Sequence, residues 1–167
     1  MSRAYSDYDY LSIVKHILTD DEFLKIKESK HHGVSRFDHS LKVSYISYKI
    51  SKALKLHHED TARGGLLHDF FLTDDDANIK DKLVSTFVHP KKAVRNSMKH
   101  FDVSLREADI IRAHMFPINI LPPKYMEGWV VNFVDKGVAL CEFSSTIGFK
   151  LKFATNLFLL FLINFIK

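Results

Sequence analysis

The sequence predicts an all-α fold, a compact helical bundle, on two observations. Apolar residues recur at spacings of three and four almost throughout the chain and hardly ever alternate. Several of these runs are preceded by polar residues suited to helix N-caps. Helices are expected over residues 8–18, 20–29, 36–55, 59–70, 79–86, 90–100, 105–114, 124–146 and 151–166, with ends set to within about 2–4 residues.

Taken in order, Thr19 with Glu22 and Ser104 with Glu107 match the reciprocal capping box, and Ser35 with Asp38 is a looser version. In the helix opened by Ser35, the residues His39, Val43, Ile46 and Ile50 follow at spacings of four, three and four, which puts an imidazole on an inward, apolar stripe. The next helix contains Gly64-Gly65. Each glycine costs about 1 kcal/mol against alanine in a helix, so the pair implies a second helix backbone close by. It ends on His68-Asp69, which places an imidazole and a carboxylate side by side at a helix end.

Residues 30–33 and 73–78 read as loops at the rim of a site. His89 stands before Pro90 at an expected helix start, and His114 closes the helix of Ala108 and Ile111. Pro117, Pro122 and Pro123 then stop any helix from running on, and Pro123 suits the first turn of the next one. That next helix carries Asp135 among Trp129, Val131, Phe133 and Val134, with Val131, Asp135 and Val138 on one face. A lone buried carboxylate is costly there; a salt bridge to Arg63 or Lys136, or a metal ion, would answer the cost.

The chain has 167 residues, which fits a single domain over 1–167 able to bury roughly 70% of its unfolded surface, with a core motif region at 35–140. A hydrophobic share of 46% against a charged share of 26% is that of a folded globular protein, not of a disordered one. The excess of 24 basic over 20 acidic residues, +4, is scattered. It suits a small anionic substrate and excludes a nucleic-acid role argued from charge. Cys141 is the only cysteine, so no internal disulfide can form; together with the polar residues among the first twenty, this leads us to expect a cytoplasmic protein. Residues 153–166 are apolar on most sides, but 14 residues interrupted by two asparagines fall short of the roughly 20 that span a bilayer. We expect that segment to be covered by the helical body or by a second subunit, which leaves a homodimer open, with association at a membrane surface as the alternative.

Ten histidines are more than ordinary usage, and imidazole is the commonest protein ligand for transition metals. The order His39, then His68-Asp69, then Asp135, carried in SRFDHSLKVSY, ARGGLLHDFF and VVNFVDK, resembles the HD superfamily of metal-dependent phosphohydrolases. The histidines of FVHPKKA and IIRAHMFP, between the HD pair and the last aspartate, resemble its dinuclear branch, which includes diadenosine tetraphosphate hydrolases and cyclic dinucleotide phosphodiesterases.

The resemblance implies two divalent transition-metal ions, iron or manganese ahead of zinc, held by His39, His68, Asp69, His89, His114 and Asp135. Asp69 would bridge and so be central to catalysis; His39, His68 and Asp135 would complete one shell, His89 and His114 the other. A metal-activated water would then cleave a phosphoester or phosphoanhydride bond in a nucleotide or dinucleotide. Arg36, one turn ahead of His39, Lys92, one turn past His89, and Lys136, beside Asp135, are the candidate substrate contacts. His31, His32, His57, His58 and His100 read as solvated or supporting residues, with His31 and His32 placed to line the mouth.

Two features depart from the pattern. Phe70-Phe71-Leu72 follow the HD pair where many relatives carry a lysine, and no Gly-Tyr-Pro follows to suggest the cyclic di-guanylate subgroup. Two other classes share the fold: a module that senses nucleotide or metal without turnover, and a di-iron oxygenase, which would need further ligands that the sequence does not supply.

Overall fold

Two adjacent glycines set how closely the central helices approach. A Cβ on Gly65 would lie 3.1 Å from the Cα of Ser44, and one on Gly64 would lie 2.9 Å from Cγ2 of Ile110. The glycine pair thus sits where two other helices converge, as its cost in a helix implied.

The computed structural model describes residues 2–28, 30–31, 34–72 and 79–165, with side chains over 4–28, 34–72, 88–145 and at 148. Helices α1 (Ser2–Ser6), α2 (Tyr8–Leu18) and α3 (Asp21–Leu24) lead through a 3-10 turn (Lys25–Lys27) to a two-residue ladder, β1 (Lys30–His31) with β2 (Val34–Ser35). The body follows as α4 (Arg36–Ala53), α5 (His58–Leu67), α6 (Ile79–His100), α7 (Leu105–Ala113) and α8 (Met126–Phe165). The fold is all-α, as expected. The ladder is antiparallel, pairing Lys30 with Ser35 and His31 with Val34, and is too short to leave a period in the sequence.

Local chemistry accounts for the helix starts. Ser104 accepts from the Glu107 amide at 3.1 Å while the Glu107 carboxylate accepts from the Ser104 amide at 2.9 Å, the full reciprocal box. Ser35 accepts from the Asp38 amide at 3.1 Å. The box expected at Thr19 does not form. Asp20 caps α3 through the Phe23 amide at 2.9 Å, and the Thr19 hydroxyl donates back to the Lys15 carbonyl. An aspartate caps at least as well as a threonine and adds negative charge at the positive end of the helix.

Three other expectations are corrected. Ile46 and Ile50 are 41% and 38% exposed; the buried stripe of α4 is instead Ser40, Ser44, Ser47 and Ser51, beside His39 and Val43. Small side chains win this face because α5 comes so near, and the Ser44 hydroxyl satisfies the Ala62 carbonyl at 2.6 Å. The breaks expected at 86–90 and 146–151 are absent. Pro90 lies inside α6, although it removes one amide from the helix ladder, because proline terminates a helix only where packing does not carry it on. Likewise α8 continues through Gly148 to Phe165, since a single glycine costs only about 1 kcal/mol in a helix.

The larger core lies among α2, α3, α4 and α5, around Tyr10, Phe23, Ile26, Leu41 and Leu66. A smaller cluster of Val43, Ile110, Val131 and Val138 joins α4, α7 and α8. Between these clusters the ends of α5 and α7 meet the first turn of α4 and the N-terminal part of α8. The link at 73–78, His32, Gly33 and the packing of side chains 153–166 lie outside the described residues. Among the described residues no helix is long and apolar enough to cross a membrane.

Gly65→Ala should destabilise the fold by about 1–2 kcal/mol net, because overpacking against the α4 backbone outweighs the gain of about 1 kcal/mol in helix propensity. Gly137→Ala on α8, where a Cβ meets nothing within 4 Å among the described residues, should stabilise by about 0.4–1 kcal/mol. Urea unfolding of both variants checks the contrast.

Candidate metal centre

His68 and His114 occupy equivalent positions, each the C-cap of its helix. A helix end leaves carbonyls without intrahelical partners. His68 Nδ1 meets the Gly65 carbonyl at 2.8 Å and His114 Nδ1 meets the Ile111 carbonyl at 2.7 Å, in both cases three residues back. A carbonyl only accepts, so Nδ1 carries the hydrogen and Nε2 is left with its lone pair. His39, in the first turn of α4, has its Nδ1 hydrogen held by Glu142 Oε2 at 2.9 Å, while its Nε2 meets Asp135 Oδ1. The ring nitrogens left over converge on two carboxylates.

Asp69 extends from the turn that follows α5, where the chain leaves helical geometry and lets neighbouring side chains aim at one point. Its Oδ1 lies 3.5 Å from His89 Nε2 and 3.7 Å from His114 Nε2. Its Oδ2 lies 3.9 Å from His68 Nε2. Asp135 Oδ1, from α8, is 2.9 Å from His39 Nε2 and 3.6 Å from His68 Nε2. Three triads of donor atoms lie within 4.8 Å of one another: His39, His68 and Asp69; His68, His114 and Asp135; Asp69, His89 and His114. All six residues are at most 9% exposed.

This donor set fits a metal. His68 Nε2 is buried and has no hydrogen-bond partner among the described residues, and both nearby carboxylate oxygens stand beyond hydrogen-bond range. A lone pair enclosed in protein and facing carboxylates is an unmet need that a cation meets. His89 Nε2 and His114 Nε2 face each other at 3.0 Å.

Electrostatics separate the histidines. Burial opposes charge on His39, but hydrogen bonding and charge from Asp135, with help from Glu142 and Asp69, outweigh it and raise its pKa. Burial pushes His114 down to about 3, with His68 adding to the shift. Burial would raise Asp135, yet the His39 hydrogen bond and the surrounding imidazoles hold it at about 2.

The expected substrate contacts fare differently. Arg36 is only 3% exposed; its Nη1 donates to the Phe71 carbonyl and its guanidinium stacks 3.9 Å from the centroid of the Phe71 ring. Arg36 Nε comes within 4.0 Å of Asp69 Oδ2, so the guanidinium lies beside the donor set. Phe71 in turn stacks on His89, with centroids 5.1 Å apart. Lys92 lies on the exposed side of α6. Lys136 donates to the His114 carbonyl at 3.1 Å, and desolvation lowers its pKa against the pull of Asp135. Arg63, weighed as a partner for Asp135, pairs instead with Glu107. His58 packs on Tyr48 and His100 on Phe70, away from the donors, and the His57 amide donates to Glu127. The side chains of His31 and His32 lie outside the described residues.

Sequence reasoning missed two supports. Asn132 donates to the His114 and Phe116 carbonyls at 2.6 and 2.8 Å, anchoring the end of α7. Glu142 was legible only as a second acid two turns past Asp135 on the same helix face.

The HD-domain family model matches residues 36–137, a stretch that includes all six donors. The chain belongs to the HD-domain family. Neither a curated protein nor a solved structure matches it. As an HD domain it is a module of the metal-dependent hydrolase type, and the His/Asp cluster is its candidate binding site for divalent metal.

The signs of these shifts predict how the metal-stripped HD domain responds to pH. His39, raised above 6.5, contributes stability that is complete below that value and lost as pH rises through the raised pKa. His114, lowered from 6.5 to about 3, contributes stability that is lost as pH falls through that interval, because the unfolded chain takes up a proton the folded one refuses. Urea midpoints of chelator-treated protein should decline on both sides of neutrality. His39→Asn should flatten the alkaline limb and His114→Asn the acid limb; limbs unchanged by either substitution would contradict the assignment.

Proposed function

We propose that this HD domain is a dinuclear metal-dependent phosphohydrolase that cleaves a phosphoester or phosphoanhydride bond in a nucleotide or dinucleotide. The observation that carries the reading is how the two oxygens of Asp69 divide the cluster, Oδ1 toward His89 and His114 and Oδ2 toward His68. That division supports one carboxylate shared by two ions. His39, His68, Asp69 and Asp135 would hold one of them, and Asp69, His89 and His114 the other.

Mixed imidazole and carboxylate donors suit iron or manganese, with zinc also accommodated. Bound divalent ions supply Lewis acidity toward phosphoryl oxygens and a water acidic enough to be a nucleophile near neutral pH. The chain's own residues do the rest. Asp69 and Asp135 set two negative charges where positive charge is wanted, and the helix-end carbonyls keep the imidazoles in the ligating tautomer. Lys136, and Lys92 more remotely, add positive potential for an anionic substrate, in keeping with a net charge of +4. Arg36 serves from within, holding the Phe71 turn that follows Asp69.

Asp69→Asn is the test. It preserves size but removes the negative charge, so metal content should fall and turnover should drop by orders of magnitude while circular dichroism stays helical. Turnover is read as phosphate release from a panel of nucleotides, dinucleoside polyphosphates and cyclic dinucleotides with metal-replete protein. A folded Asp69→Asn protein with full metal and full turnover would overturn the proposal, and metal binding without release from any of the panel would favour a sensing module.

Metal stoichiometry is a separate expectation. Protein prepared with iron or manganese should hold two ions per chain, and His89→Ala or His114→Ala should lose one of them first. Elemental analysis that stays at one ion under supplementation would exclude the dinuclear arrangement.

A further inference from the structure

Glu142 lies five residues beyond the stretch that the family model matches, and it belongs to none of the donor triads. It is nonetheless buried, at 5% exposure, with its carboxylate divided between two partners on α4. Oε2 is 2.9 Å from His39 Nδ1, and Oε1 accepts from Lys42 Nζ at 2.6 Å. Asp135, two turns earlier on α8, is 2.9 Å from the other ring nitrogen of His39. One face of α8 thus grips both nitrogens of a single imidazole.

The need for such an outside acceptor follows from where His39 sits. His68 and His114 close their helices and donate to carbonyls that a helix end leaves over. His39 is in the first turn of α4, and a helix start leaves over N–H groups instead, which an imidazole N–H cannot use. The acceptor has to come from another element, and α8 supplies it. A carboxylate can only accept, so Nδ1 keeps its hydrogen toward Glu142, and Nε2, which donates to Asp135 while no metal is bound, is the nitrogen left to give up its hydrogen and ligate. Lys42, one turn past His39 with its side chain 34% exposed, neutralises and aims the carboxylate from the solvent side.

We infer that Glu142 is a positioning residue for His39, fixing its tautomer and ring orientation toward a divalent ion, and that Lys42 positions Glu142 in turn. Such a partner also raises the basicity of the ligating nitrogen, and losing one typically weakens metal binding about 10–100-fold. The inference rests on the reading of His39 as a ligand, and the experiment separates the two.

Mn2+ is titrated by calorimetry into the chelator-stripped 167-residue chain and its variants, and the His39 tautomer is read by 15N-edited NMR on the stripped protein at alkaline pH, where no metal on Nε2 dictates it. Glu142→Ala should weaken Mn2+ binding about 10–100-fold and leave His39 with mixed tautomers. Glu142→Gln, which keeps an acceptor and the side-chain length but loses the charge, should restore the Nδ1–H tautomer and recover part of the affinity; a purely structural role would not track the tautomer. Lys42→Met should weaken binding less than Glu142→Ala does. Where Glu142→Ala fails to fold, the affinity and tautomer of Glu142→Gln decide, and values equal to wild type for both would overturn the inference. His39→Ala is the control. If it loses Mn2+ while Glu142→Ala keeps it, the positioning role is wrong and the ligand reading stands; if neither loses Mn2+, both fall.

Discussion

The close passage of α5 beneath α4 is the constraint on which the rest of the structure depends. It is set by Gly65 against the Ser44 backbone and kept free of bulk by the serine stripe of α4. Because the two helices run this near, the first turn of α4 arrives at the end of α5, and the His39 and His68 rings come to 5.5 Å between centroids. The same glycine pair seats Ile110 of α7 against Gly64, which fixes the level at which α7 ends and brings His114 to 4.9 Å from His68. Larger residues at 64 and 65 would hold the three helices apart and the donors with them.

From that packing the site inherits its chemistry through the unfinished ends of helices. Two imidazoles use leftover carbonyls, which costs the fold no extra group and settles their tautomers at once. The helix start at His39 has no such carbonyl to offer, so a distant acid on α8 takes its place. Asn132 does for the end of α7 what a capping residue would, tying the carbonyls that follow His114 to α8. The long α8 is therefore more than a cover over the bundle; it carries Asn132, Asp135, Lys136 and Glu142 past the centre at spacings that keep them on one side.

The electrostatic arrangement is stable only as a compromise. Two carboxylates and four imidazoles are almost wholly enclosed, and the tension shows as histidines driven apart, His39 upward by its acids and His114 down to about 3 by burial. Isolated buried charges of this kind would be expensive, and the internal pairs offset only part of the cost. The unpartnered Nε2 of His68 is where that compensation is incomplete, at the centre of the donor set.

Much of this was legible in the residues themselves. The helical period gave the fold class, the glycine pair implied the close approach, and the order of His39, His68-Asp69, His89, His114 and Asp135, through its resemblance to the HD superfamily, pointed to residues that the fold brings together. What the sequence could not supply was direction. Ile46 and Ile50 share the face period of His39 yet are half exposed, since the buried side of α4 was chosen by the serines that admit α5. Arg36 could be placed on the face of His39, but its partners could not be read: the Phe71 carbonyl and ring hold its guanidinium beside Asp69. The gaps expected at 86–90 and 146–151 are carried through as helix. Glu142, 103 residues from His39, becomes its partner only when α8 is laid against α4. Periodicity and residue type are local and survive in the sequence; which of two eligible faces is buried, and which distant acid meets an imidazole, is decided by the packing of whole helices.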